Sequence, residues 1–278
     1  MKYIILLFTF VVFVFPQEAQ TVTIITTDGF EIVGTIIEET DDEYQVETTS
    51  GIAMTIPKNI VAEIEAFSGL IKEGKLYNPD PNKSIYIFSP SAYPIGKGNK
   101  YFRDFWIVFP SMNFGLSDVF SLQLGGIWLP GIDLDHIPLI GSVKASLYQK
   151  EKLSLAGGLM YTKIADFGAG FIFATGTYGD NFNHTSFSLG WGYGNFDNKW
   201  EIMDRPIVVI AGNYRLSQSF ALVTENWILP EFALDEIPLS LSMRFLGKKF
   251  SLDIGALIIL TMLEEGLPIP ILNFTYHF

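Results

Sequence analysis

The sequence predicts an all-β protein, in which a small β-domain precedes a transmembrane antiparallel β-barrel of about 12 strands. Mean hydropathy is positive and aromatic residues make up 15% of the chain, whereas charged residues make up only 17%. Beyond the N-terminus, the longest nearly uncharged apolar run is Ile254–Leu263, which is too short for a transmembrane helix of about 20 residues. Many short segments alternate apolar and polar residues between turn signals, as the strands of a membrane barrel do.

Residues 1–19 have the layout of a secretory signal peptide. Lys2 precedes the apolar stretch Tyr3–Phe15, and Pro16 and Ala19 precede Gln20, so we expect cleavage near Ala19–Gln20. A retained membrane anchor is the alternative, although about 13 apolar residues are short for a membrane span. The chain contains no cysteine, and it therefore offers no disulfide, no thiolate metal site and no lipoprotein anchor.

The negative charge is concentrated near the N-terminus. Net charge is −12 for the whole chain, and residues 20–67 hold ten acidic residues against the single base Lys58. From Ser68 onward, 16 basic residues face 19 acidic ones. This balance argues against a nucleic-acid partner for either part, because a polyanion would be repelled.

Residues 20–67 predict an acidic β-domain. Segments rich in Val, Ile and Thr at 21–27, 30–38, 44–49 and 52–56 are separated by turn chemistries, and a short closing strand follows at 61–66. The turn Asp28-Gly29, Gly34 in the second strand, the turn Thr48–Gly51 and the segment Ile56–Ile60 resemble SH3-like or Sm-like β-barrel modules of exported bacterial proteins. That resemblance implies a small SH3-like β-barrel domain in the periplasm that docks a protein partner, and it implies no activity.

The acidic run Glu38–Glu43 admits two interpretations. Carboxylates are ligands that calcium prefers, but the run lacks the regular spacing of a calcium loop. We therefore favour a solvated hairpin tip.

After a predicted linker at 68–83, residues 84–278 predict the barrel. A polar turn followed by Phe-Ser-Leu or a close variant recurs about every 30 residues, beginning at Asp118, Glu151, Thr185, Ser217 and Lys248. Between these turns we place twelve strands, at 84–89, 101–114, 119–128, 138–148, 152–163, 167–177, 183–193, 205–215, 219–229, 237–246, 250–260 and 268–278. An even number puts both barrel termini and the short turns in the periplasm, with outward loops at 92–100, 130–137, 195–204, 230–236 and 264–268.

Strand alternation predicts which charges face the lumen. In the tenth strand Leu241 and Met243 alternate with Arg244, and in the eleventh Ile254 alternates with Asp253. A charge that faces lipid costs about 2–4 kcal/mol at the bilayer midplane, so we assign the charged side chains to the lumen. The predicted luminal residues are Lys144, Glu225, Arg244 and Asp253.

The last strand, Leu272–Phe278, alternates and ends in an aromatic residue. This pattern looks like the signature by which outer-membrane barrels are recognised by the barrel assembly machinery, through Phe278 here. The stretch Tyr86–Leu124, with Arg205–Gly212 and Ala221–Trp227, resembles uncharacterised outer-membrane barrels of Bacteroidetes-type bacteria. The resemblance implies a location in the outer membrane of a Gram-negative cell, among its lipids, and transfers no catalytic residue.

These features favour a narrow pore or a binding barrel for small polar solutes. The luminal charges would set its selectivity, or would pair with one another and help to plug the lumen. A non-conducting anchor that presents the periplasmic module is the alternative. We expect no enzyme activity, cofactor or metal, because the sequence shows no phosphate loop and no metal-ligand spacing, His136 and His277 included.

A lipid hydrolase is a remote alternative. His184 and Ser186 have the His-x-Ser spacing of outer-membrane phospholipases and lipid A deacylases, but Phe187 stands where those families usually have Asn. A hydrolase of this kind needs Ser186 to face lipid beside His184, whereas a pore needs an open lumen.

Overall fold

The computed structural model of the chain describes residues 21–67, 70–72, 75–77, 80–128, 131, 137–164, 167–196, 199–230, 233, 236–259, 261 and 268–278. The chain divides into two compact units, residues 1–76 and 77–278, and each is described by itself below. The predicted signal peptide lies outside the described residues. Within them, no helix is long and apolar enough to cross a membrane.

The first unit contains a five-stranded antiparallel sheet with the order β4-β3-β2-β1-β5. Ile24, Val46 and Ile56 form its fully buried core. The close approach of β2 to β3 needs a glycine, because a Cβ at Gly34 would lie 2.6 Å from the carbonyl oxygen of Glu47. The strands are β1 Thr21–Thr26, β2 Glu31–Glu39, β3 Glu43–Thr48, β4 Ala53–Pro57 and β5 Val61–Ala66, and a 3₁₀ turn at Lys58–Ile60 joins the last two.

The acidic run lies at the end of β2 and the turn into β3. Lys58 Nζ lies 2.7 Å from the Glu39 carboxylate, and this hydrogen bond raises the pKa of Lys58 above its ordinary value. Among the described residues, no group of three or more acidic, His or Cys side chains is arranged to hold a metal ion. The geometry of these residues thus adds nothing to the calcium interpretation.

The segment that we predicted as a linker has structure of its own. Strands β6 Leu70–Lys72 and β7 Lys75–Tyr77 pair with each other. Asp80 and Asn82 are buried within the second unit. The end of the predicted linker is therefore part of the barrel interior.

The second unit is a closed antiparallel barrel of twelve strands. It closes because β20 pairs with β8 on one side, while β13 pairs with β14 on the opposite side. A further short strand, β15, pairs with the last four residues of β14. The strands are β8 Lys100–Phe105, β9 Phe109–Gly115, β10 Phe120–Gly126, β11 Leu139–Lys150, β12 Leu153–Ile164, β13 Phe167–Gly179, β14 His184–Phe196, β15 Lys199–Ile202, β16 Ile207–Arg215, β17 Phe220–Ile228, β18 Leu239–Leu246, β19 Phe250–Ile258 and β20 Ile269–His277.

The two ends of the barrel differ in their connections. Five short turns lie at one end, together with Lys100 at the start of β8 and Phe278 after β20. They are the turns at 116–119, 151–152, 180–183, 216–219 and 247–249. Each turn lies at, or just before, the start of one of the five sequence repeats. We call this end the turn end and the opposite one the loop end.

One predicted strand is wrong and one is two strands. Residues 84–89 form no barrel strand, and only an isolated bridge joins Ile85 to Pro90. The predicted strand 101–114 is instead the hairpin of β8 and β9. Its turn, residues 106–108, places Trp106 and Ile107 at φ of 58° and 64°, a conformation that normally selects Gly, Asn or Asp. The predicted outward loop 92–100 accordingly runs to the turn end, where Lys97 N–H donates to Asp118.

The barrel is polar inside and apolar outside. In β18, Ser240, Ser242 and Arg244 are buried, whereas Leu241 and Met243 are exposed. Other strands repeat this pattern, which is the reverse of a water-soluble domain. Exposed apolar side chains around the wall include Leu124, Val143, Leu159, Ile172, Phe187, Ile210 and Ile254.

Candidate functional site

A segment of the chain occupies the lumen of the barrel. Residues 80–95, which we call the plug, make hydrogen bonds to side chains that project inward from ten of the twelve strands. The plug forms few backbone hydrogen bonds with itself, such as Tyr86 N–H to Ser89 O at 3.0 Å and Ser91 N–H to Ser84 O at 3.1 Å. Because buried backbone groups need partners, the luminal side chains decide whether this segment can stay inside.

Glu225 of β17 receives the tip of the plug. Its Oε2 accepts the consecutive N–H groups of Ile87, Phe88 and Ser89 at 3.0, 2.8 and 2.8 Å. Its Oε1 accepts the indole N–H of Trp227 at 2.7 Å. A buried carboxylate is thereby solvated by backbone and indole donors instead of a cation.

Lys144 of β11 binds backbone carbonyl oxygens of the plug. Its Nζ donates to the carbonyl oxygens of Ser84, Ser91 and Tyr93 at 3.1, 2.8 and 2.7 Å. These three bonds use every proton of the ammonium group. Next to Lys144, Ser146 donates to the carbonyl of Ala92 at 2.8 Å, so β11 holds both arms of the plug.

Arg244 of β18 and Asp253 of β19 form an ion pair that also contacts the plug. Nε and Nη2 of Arg244 lie 2.7 and 2.9 Å from the two carboxylate oxygens of Asp253. The same guanidinium donates to the carbonyl of Tyr86 at 2.9 Å, and it lies 3.8 Å from Asp80. Asp253 also accepts from Asn273 at 2.9 Å.

Tyr86 of the plug contacts His184 and Ser186, the pair considered above for a lipid hydrolase. Tyr86 hydroxyl lies 2.7 Å from His184 Nδ1 and 2.6 Å from Ser186 Oγ, and Thr177 lies 2.6 Å from Ser186. Ser186 is 1% exposed and His184 is 4% exposed, and both project into the lumen. Ser186 does not face lipid, so the geometry that we required for a lipid hydrolase is not present.

A cavity of about 130 Å³ lies between the plug and the barrel wall. Apolar side chains form most of its lining, among them Phe88 of the plug and Phe105, Phe109, Phe171, Phe173 and Trp227 of the wall. Phe88 packs against Phe105 and Trp227, with ring centroids 6.1 and 6.0 Å apart. The lining also includes Arg103, Lys144 and eight neutral Ser, Asn and Gln residues, among them Ser142 and Ser188.

All four predicted luminal residues project inward and are at most 6% exposed. Lys144, Glu225 and Arg244 contact the plug directly, and Asp253 holds Arg244. No catalytic residue and no metal ligand was predicted, and the described residues contain no cluster that could hold a metal.

The sequence analysis missed two luminal bases, Arg103 and Arg215, and the plug itself. Arg103 of β8 is 3% exposed, and it donates to the Ile87 carbonyl and to Asn273. The alternation that located Arg244 would have located Arg103, had the hairpin been recognised. For the plug, the only signals were Pro90 and Pro94, which interrupt a strand-like segment.

Two solved structures are similar to this chain. Both are forms of OmpT, an outer membrane protein of Vibrio cholerae: a loop L8 deletion mutant, with 11% identity, and the in vitro folded trimer form, with 9% identity. Each alignment covers 94% of this chain and 97% of the other, with a TM-score of 0.31. No family model and no curated protein matches the chain. Because this similarity is low, the assignment of the fold rests on the strand pairing of the chain itself.

Proposed function

We propose that this chain is an outer-membrane β-barrel that is closed by its own plug and binds small, mainly apolar molecules in the luminal cavity. The apolar outer wall and the polar lumen support a location in lipid, where only closed barrels and helices satisfy their backbone. The predicted signal peptide and the short turns at one end support the Gram-negative outer membrane, with the turn end and the acidic domain in the periplasm. Phe278 then stands where the assembly machinery reads the last strand.

The observation that carries the proposal is how Lys144 and Glu225 hold the plug. Lys144 binds three plug carbonyls and Glu225 binds three plug N–H groups. Hydrogen bonds to charged groups contribute about 1.5–3 kcal/mol each, so this set favours a plug that stays in the lumen. The sequence left open whether the luminal charges select solutes or help to plug the lumen, and in this proposal Lys144 and Glu225 help to close it.

The cavity supports a binding role and changes the expected ligand. We predicted small polar solutes, but the lining is mainly aromatic and aliphatic. Engineered apolar cavities of about 150 Å³ bind benzene, so a volume of about 130 Å³ suits a molecule of about one aromatic ring. Concave, mainly apolar sites with a few polar groups are typical of small-molecule binding.

Fluorescence of Trp227 tests this proposal. The refolded protein in lipid vesicles is titrated with 2-(4-bromophenyl)ethanol, a neutral probe whose bromine quenches nearby indoles. We expect saturable quenching that is lost in Trp227→Phe, because Trp227 lines the cavity. Quenching that never saturates, or that is equal in Trp227→Phe, reflects partition into lipid and would contradict a binding cavity.

The anchoring function remains a second candidate, because a closed barrel that binds nothing could still hold the acidic domain at the membrane. The net charge of −9 in residues 20–67 would favour a basic periplasmic partner. If the probe does not bind, this function becomes the better explanation of a plugged barrel. Salt-sensitive binding of a basic protein such as cytochrome c, absent from a chain lacking residues 20–67, would support it.

A further inference from the structure

The charged residues around the cavity all have the same sign. Arg103 and Lys144 are the charged residues in its lining, and no Asp or Glu is among the lining residues. The lining of this mainly apolar cavity thus contains two basic residues and no acidic one. This excess of positive charge bears on what the cavity holds.

Among the described ion pairs none involves either base, although the charges of Asp253 and Glu225 act on Arg103 at longer range. Lys144 is 6% exposed and donates to three carbonyl oxygens. Arg103 is 3% exposed and donates to the Ile87 carbonyl and to the amide oxygen of Asn273. The described ion pairs instead use Lys58 and Arg244. Carbonyl oxygens solvate a buried cation but do not cancel its charge, which remains costly without an anion.

The two carboxylates that act on Arg103, those of Glu225 and Asp253, already accept hydrogen bonds from other groups. Glu225 accepts three plug N–H groups and the indole of Trp227. Asp253 accepts from Arg244 and Asn273. Turning either one toward the cavity would break several of these hydrogen bonds. A ligand can supply the anion that the described lining of the cavity lacks.

We infer that the cavity takes a small monocarboxylate with an apolar body. Its carboxylate accepts hydrogen bonds from Arg103, which has five N–H donors and two described acceptors, and is attracted by the charge of Lys144, while its body packs against Phe88, Phe171 and Trp227. This inference rests on the proposed function, because it names the ligand class of the same cavity. A single-ring acid or a short acyl chain matches the volume of about 130 Å³. Arginine and lysine are the side chains that bind carboxylates most strongly.

The test compares three probes of one shape. The refolded full chain in neutral-lipid vesicles at pH 7 is titrated with 4-bromophenylacetate, 2-(4-bromophenyl)ethanol and 2-(4-bromophenyl)ethylamine, and quenching of Trp227 is followed. Trp227→Phe serves as the blank for quenching of the other four indoles. We expect the acid to bind at least about tenfold more tightly than the alcohol, and the amine to bind more weakly than both.

Two variants separate the charge from the shape of the site. Lys144→Gln removes the charge and keeps two of the three donors to the plug carbonyls, so the ratio of the affinity for the acid to the affinity for the alcohol should fall about tenfold. Lys144→Arg keeps the charge and should keep the preference for the acid. Loss of alcohol binding in Lys144→Gln would indicate a displaced plug, and Arg103→Gln then repeats the comparison with Lys144 intact.

The possible failures are distinguishable. If the alcohol saturates and the acid binds equally or more weakly, the cavity exists and the inference about the carboxylate is overturned. If no probe saturates, the proposed function fails, and this inference fails with it. An acid preference that is unchanged in both Lys144→Gln and Arg103→Gln would also overturn the inference.

Discussion

Arg244 of β18 and Asp253 of β19 lie directly opposite each other in the barrel wall, and their side chains meet in a two-point ion pair inside the lumen. Both are at most 1% exposed. The arginine also holds the carbonyl of Tyr86 in the plug. One cross-strand pair therefore links wall register to plug position.

Removing one member of this ion pair should destabilise the barrel by more than half of what removing both members does. Arg244→Met leaves Asp253 and Asp80 without their cation, and Asp253→Leu leaves Arg244 only its longer contact of 3.8 Å with Asp80. Breaking a buried ion pair typically costs about 3–5 kcal/mol. The double variant should be less destabilised than the two single variants added together, by about 0.5–3 kcal/mol. Urea unfolding in lipid vesicles measures the three free energies. Strictly additive values would show that the two residues do not interact.

The sequence predicted most strands of the wall but not the segment that lies inside it. The five turn repeats and the alternation of Leu241, Ser242 and Met243 predict strands and faces because barrel strands have a period of two. They do not reveal the hairpin at Trp106–Ile107, since no Gly, Asn or Asp marks that turn. The count of twelve was correct only because the lost strand at 84–89 offset this additional one.

The plug could not be predicted because its stability comes from distant side chains. Residues 84–89 alternate in hydropathy like a strand, but their backbone groups bind Glu225, Arg244 and Lys144 instead of a neighbouring strand. Contacts across more than 50 residues leave no local pattern in the sequence. The luminal charges were predicted from the cost of exposing them to lipid, which says nothing about their partners.

An arginine on the outer wall tests the membrane-facing surface. Ile172 lies near the middle of β13 and is 52% exposed, whereas Tyr178 lies near its turn end and is 64% exposed. Ile172→Arg should reduce the free energy of unfolding in vesicles by about 2–4 kcal/mol, and Tyr178→Arg should reduce it by at most about 1 kcal/mol. The reason is that the cost of a charge facing lipid falls from the bilayer midplane toward the interface. Equal effects at both positions would argue against a bilayer centred on this strand.

Gly34 tests the packing of the acidic domain. A methyl group there would lie 2.6 Å from the Glu47 carbonyl oxygen and from Val46 Cγ1, so Gly34→Ala should destabilise this sheet by about 1–3 kcal/mol. Hydrogen exchange of the full chain should show faster exchange at the amides of Ile24 and Val46, with the barrel amides unchanged. Thr35→Ala, the next residue along the strand, serves as the control. Unchanged exchange in Gly34→Ala would contradict the close approach of β2 and β3.

The role proposed for Phe278 predicts a defect that depends on the assembly machinery. Phe278→Ala should assemble several-fold more slowly into vesicles that contain the machinery, and at nearly the wild-type rate into bare vesicles. Lys100 lies over the Phe278 ring, 5.5 Å from its centroid, so Lys100→Ala removes this contact while keeping the terminal aromatic. A similar slowing in both kinds of vesicle would assign Phe278 a structural role only.

Ionic conductance of the refolded protein in a planar bilayer tests the closed barrel most directly. We predict that the wild-type protein is silent, and that Lys144→Ala/Glu225→Ala, which removes six hydrogen bonds to the plug, shows discrete current steps. Thr175→Ala/Ser188→Ala, which removes a luminal hydrogen bond outside the plug, should stay silent. Steady current steps from the wild-type protein would contradict a lumen closed by residues 80–95.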